Sequence, residues 1–109
     1  MGESELLTLQ RNDPLLRFAI ANKRLISFRY DRSPRVAEPH DYGIQKGSTK
    51  LQAYQLRGPA RAGKKVVWWR TFQVAGMEDC VVLEETFPGS RGRSHVHHLK
   101  WDVLYARVD

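Results

Sequence analysis

Cysteine is almost missing from this chain: Cys80 is the only one in 109 residues. A single thiol excludes an internal disulfide framework and a multi-cysteine metal site within one chain. Long apolar runs are missing too, so nothing approaches the roughly 20 residues needed to cross a bilayer, and no membrane partner is expected. The first residues, Met1-Gly2-Glu3-Ser4-Glu5, carry acids where a secretory signal needs positive charge. Together these features predict a cytosolic protein. There is no nucleophile elbow, phosphate loop or dinucleotide fingerprint, no internal repeat and no low-complexity tract. No cofactor is expected.

Acidic residues are scarce over long stretches. Lys and Arg number 18 against 12 Asp and Glu, a formal charge of +6. None of the acids falls between Tyr42 and Met77, where Lys46, Lys50, Arg57, Arg61, Lys64, Lys65 and Arg70 lie. A second acid-free stretch, from Thr86 to Lys100, holds Arg91, Arg93, Lys100 and three histidines. A segregated basic surface favours a polyanion over a neutral ligand. Mixing of both signs on an ordinary solvated face is the alternative.

What is present fits one small domain: 41% of residues are apolar and 10% aromatic, enough for one core. Residues 1–12 read as a flexible leader and 13–109 as the domain. Asp13-Pro14 suits a helix start, with Asp as N-cap and Pro at the first helical position. Leu15, Leu16, Ala19 and Ile20 follow at helical spacing, with Phe18 widening the apolar face, for about three turns. The period then changes to two. Strands are predicted over 26–30, 35–44, 49–56, 66–74, 80–84 and 101–108. Pro39 places the middle of the second strand on a sheet edge or a bulge. Residues 57–65 form a glycine-punctuated basic loop. One helix followed by five or six short strands predicts a mainly β fold, a small, strongly bent antiparallel barrel.

Several residues carry candidate chemistry. In Trp68-Trp69, adjacent strand positions send one indole to the core and the other outward. Trp69 is read as a stacking platform for a base, as is Tyr54. Burial under the basic loop or in a dimer interface is the other reading. Arg35 and Arg70 offer forked donors for phosphate, while His40 and Gln55 offer oriented hydrogen bonds. Alternatively, Arg70 pairs with Glu38 or Asp41, and His40 is a satisfied turn residue. Arg91 and Arg93 add nonspecific attraction, as does the 57–65 loop. His95 and His97 would share a strand face with His40 in reach as a third imidazole, yet no carboxylate or Cys has ligand spacing, so no metal site is expected. Cys80 lies between Asp79 and apolar residues, which raises a thiol pKa and disfavours a nucleophile. Glu84 and Glu85 diverge on a strand and cannot act on one bond. The protein is expected not to be an enzyme.

Taken in order, several segments resemble the WYL-domain family: Ile26 to Tyr30, Arg35-Val36-Ala37-Glu38-Pro39-His40, Leu51-Gln52-Ala53-Tyr54-Gln55 and Arg70-Thr71-Phe72. The runs at 38–43 and 53–55 are most similar to short standalone bacterial members. Thr49-Lys50-Leu51 keeps only the leucine of the triplet that names the family, and Gly76-Met77 replaces an Arg-Ile pair. The resemblance implies an Sm-like barrel and ligand or nucleic-acid sensing in a regulatory role. One helix before the first strand leaves no room for a winged helix–turn–helix. The expected function is noncatalytic binding of nucleic acid or a nucleotide-type anion through Arg35, His40, Tyr54, Gln55, Trp69, Arg70, Arg91 and Arg93. The alternative is an assembly module that forms a homodimer through strand edges and an exposed Trp.

Overall fold

The computed structural model describes residues 2–60, 62–92 and 100–109. The chain opens with one long helix, α1 (Glu3–Ala21). The expected leader over 1–12 is therefore helical from Glu3, and Asp13-Pro14 is not the start. Pro14 lies inside the helix on an exposed position, where a proline forfeits one hydrogen bond at a cost of roughly 3 kcal/mol. Packing offsets that loss. Asn12, Leu16, Ala19 and Ile20 form a buried stripe at helical spacing. The Asn12 amide donates to the carbonyls of Met77 (2.9 Å) and Val74 (3.3 Å), which pins the middle of α1 to the body. Asp13 does not cap: it accepts the Tyr42 hydroxyl at 2.6 Å and pairs with Arg17 at 3.0 Å. Phe18 does not join the core either. It is 49% exposed, with the Arg24 guanidinium 5.7 Å from its ring centre.

Six strands follow among the described residues: β1 (Arg24–Tyr30), β2 (Ser33–Gln45), β3 (Ser48–Arg57), β4 (Trp68–Gln73), β5 (Glu78–Thr86) and β6 (Val103–Arg107). All pairings are antiparallel, in the order β4-β3-β2-β1-β5, with β6 beside β2. The mainly β prediction holds, and its strands are displaced by only a few residues. The first two hairpins turn on Asp31-Arg32 and Lys46-Gly47, all four with positive φ, the geometry of tight two-residue turns. Pro39 falls at a register shift between Pro39 and Asp41, so it marks a bulge in a central strand. There the other side of β2 changes partner, from β1 up to Ala37 to β6 from Asp41 onward. Gly43 makes that exchange feasible, since a Cβ there would lie 2.1 Å from the Val103 carbonyl oxygen.

The sheet is strongly curled. Three strand spacings separate β1 from β4, about 14 Å if flat. Yet the Phe72 ring of β4 lies 4.9 Å from both Phe28 and Tyr30 of β1. The sheet stays open: β4 and β5, its two edges, are joined by one 3-10 turn (Val74–Gly76) and do not pair with each other among the described residues. The concave face carries Ile26, Phe28, Ala37, Leu51, Ala53 and Phe72, all buried, and α1 closes over its Tyr42 end. No helix of the described residues is long and apolar enough to cross a membrane.

Candidate functional site

Strand parity divides the expected site residues into two groups on opposite faces. Register places Phe28 opposite Arg35, Ala37 opposite Gln55, and Ala53 opposite Arg70. Arg35, Gln55 and Arg70 therefore share the concave face with the core, while the Trp68 indole, at the start of β4, lies 6.5 Å from the Tyr54 ring. Glu38 lies opposite Tyr54, and Tyr54 opposite Trp69, on the convex face. Adjacent residues point to opposite sides of a sheet, so Tyr54 cannot join Gln55, nor Trp69 join Arg70. The predicted single pocket does not form from all of them.

On the concave side, the curl ends in a mouth of about 260 Å³. Tyr30 and Phe72 give it aromatic walls, Arg35 and Arg70 stand beside them, and Pro59-Ala60 of the basic loop forms a flank. Asp31 and Thr71 add polar groups. The Arg35 guanidinium lies 5.4 Å from the Tyr30 ring centre and 5.7 Å from that of Phe72. It donates to Gln55 Oε1 and to the Tyr30 carbonyl, each at 3.2 Å, but its buried Nε has no hydrogen-bond partner among the described residues. Burial depresses the Arg35 pKa; Asp31 and Tyr30 counter this, and the neighbouring Arg70 adds to it. Arg70 donates to the backbone carbonyls of Trp69 and Lys65, so it joins β4 to the loop. Neither Arg35 nor Arg70 forms an ion pair among the described residues. The expected alternative, Arg70 paired with Glu38 or Asp41, is excluded by those acids' own partners.

Gln55 is a framework residue. Fully buried, it accepts from Arg35 and donates to the carbonyls of Pro59 (3.1 Å) and Val66 (3.0 Å), holding both ends of the loop. Gly58 is needed beside it: its φ is +140°, and a Cβ there would come 2.8 Å from the Arg35 Cδ. Trp68 is the outward indole, 39% exposed, with the Lys65 ammonium 4.6 Å from its ring centre. The stacking role expected of Trp69 thus falls on the wrong indole, because Trp69 is only 7% exposed.

The convex group is a packed lid. The His40 ring lies 4.7 Å from Trp69 and 5.4 Å from Phe87, and Tyr54 meets Trp69 at 5.3 Å. Arg91 grips Glu38 through two bonds of 2.8 Å, its guanidinium 3.7 Å from the Tyr54 ring centre. Arg107 grips Asp41 at 2.9 and 3.0 Å. Burial alone would raise the Glu38 pKa, but hydrogen bonds from His40 (3.1 Å) and Arg91 outweigh it and leave it below the usual value. With Glu38 ionised, His40 Nε2–H is the donor. These contacts leave His40, Tyr54 and Arg91 committed within the fold. Arg93, His95 and His97 lie outside the described residues. The sequence reading missed Asp31 and Tyr30 as mouth residues; Tyr30 shares its strand face with Phe28, the partner of Arg35. Burial pushes the Cys80 thiol up to about 11. No protein-family model, curated protein or solved structure matches the chain.

Proposed function

We propose that the protein is a noncatalytic, WYL-like binding module whose concave mouth takes a phosphate-bearing anion, a nucleotide or a nucleic-acid strand. One observation carries the reading: two guanidiniums meet at one cavity, neither ion-paired among the described residues, and one of them keeps a buried N–H with no partner among those residues. A buried donor left unmatched costs roughly 1–3 kcal/mol, and an anion in the mouth removes that cost. Arg35 and Arg70 hold the phosphate, and the exposed Trp68, packed on Lys65 of the loop that Arg70 bonds, stacks a base outside the mouth. Lys64, Lys65 and Arg57 supply long-range attraction. A raised Cys80 pKa and buried acids occupied by arginine speak against catalysis. The curl of the sheet, with its edges one 3-10 turn apart, supports a small Sm-like barrel.

The test is a titration with short single-stranded DNA and RNA over a salt series. Binding should weaken with salt by a log–log slope of about −0.7 per neutralised charge, and Arg70→Ala should reduce both affinity and slope. Salt-insensitive binding, unchanged by Arg70→Ala, would refute the reading. A homodimer is the second reading, favoured by exposed Val66, Val67 and Trp68 leading into the edge strand β4. Light scattering across concentrations separates the two.

A further inference from the structure

The mouth holds one group that a simple phosphate site would avoid. Asp31 lines the same cavity as Arg35 and Arg70, close enough to act electrostatically on Arg35. It forms no ion pair among the described residues, so its carboxylate is not consumed by the arginines. A bare phosphate there meets a like charge. A ligand that carries hydroxyl donors as well as phosphate does not, because a carboxylate accepts from them. The volume also exceeds what one anion needs: about 260 Å³ equals the liquid volume of roughly nine waters. Carboxylate acceptance of a ribose 2′-hydroxyl is an established way to read a nucleotide sugar, and that hydroxyl is what distinguishes RNA from DNA.

We propose that the mouth selects a phosphorylated ribose over its 2′-deoxy counterpart, with Arg35 and Arg70 on the phosphate and Asp31 accepting from the ribose hydroxyls. This rests on the anion-binding reading above and names its ligand class. Asp31 is also well placed for substitution. Its φ is +50°, a region that Asn tolerates and Gly adopts freely, so Asp31→Asn and Asp31→Gly keep the turn.

The experiment measures binding of AMP, 2′-deoxy-AMP and inorganic phosphate to the whole chain and to both variants, with the unfolding midpoint as a check on folding. The expected result is AMP about tenfold tighter than 2′-deoxy-AMP, the factor for one charge-assisted hydrogen bond. Both variants should lose that preference while binding phosphate as well as before or better. A 5′-phosphorylated tetraribonucleotide beside its deoxy form tells a strand end from a free nucleotide; a ribose preference in either supports the proposal. Equal affinity for ribose and deoxyribose forms, with binding still dependent on Arg35 and Arg70, overturns this inference alone. No binding of any phosphate compound overturns it together with the reading beneath it.

Discussion

Two pairs of arginines on opposite faces of one sheet have opposite fates. Arg91 and Arg107 each close on a buried carboxylate, Glu38 and Asp41, through paired bonds of 2.8 to 3.0 Å. Their charges are spent inside the molecule, and each guanidinium pKa is raised by its carboxylate partner's hydrogen bonds. Arg35 and Arg70 lean on neutral carbonyls and an amide instead, with the Arg35 pKa depressed by burial. Formal charge does not distinguish the pairs; the charge left after internal pairing does. Convex arginines hold the C-terminal segment to β2, while concave ones keep charge for an outside partner.

The neighbouring tryptophans give the sharpest way to break this contrast. Trp69→Ala should lower unfolding free energy by about 3–5 kcal/mol, the cost of emptying a buried aromatic site, measured by denaturant unfolding. Next is Glu38→Gln, which should cost about 2 kcal/mol by weakening the charged bonds to Arg91 and His40. The acid side sharpens it further. Because the folded Glu38 pKa is depressed, its contribution is present above the ordinary carboxylate value of about 4.3 and is lost as pH falls through the folded value. Unfolding midpoints should therefore drop more steeply below about pH 4.3 in the wild type than in Glu38→Gln.

On the concave side the effects should move from stability to binding. Arg35→Ala should weaken a phosphate-bearing ligand by about tenfold or more and flatten the salt slope by about 0.7, as read by titration calorimetry. Its unfolding free energy should change less than that of Glu38→Gln. Smallest is Trp68→Ala: nucleotides should bind several-fold more weakly, in line with roughly 1 kcal/mol for lost stacking, while inorganic phosphate binds unchanged. Equal loss for both ligands would remove Trp68 from the site.

Much of the fold was legible because alternation is a local signal. Ile26, Phe28 and Tyr30 marked a strand, and Pro39 marked a bulge. The helix start was not, since a local N-cap signal at Asp13-Pro14 competes with a tertiary one: Asn12 bonds carbonyls more than 60 residues away. The candidate site was half legible. Arg35, Gln55 and Arg70 do come together, whereas Tyr54 and Trp69 were separated from them by strand parity, a constraint already present in the dipeptides Tyr54-Gln55 and Trp69-Arg70. Which arginines would be neutralised depends on register between distant strands. No local pattern carries that.

The handover at Pro39 bears on the order of assembly. β1, β2 and β3 are joined by two-residue turns, so their pairing is local and fast. β6 meets β2 only across a long separation in sequence, as Ile44 opposite Val103 and Asp41 opposite Arg107 show, and such distant closure comes late. Until then the second half of β2 presents an unpaired edge, open to the same stretch of another nascent chain. Weakening the Arg107–Asp41 grip should accordingly appear first as aggregation during refolding, before any change in the finished molecule's affinity.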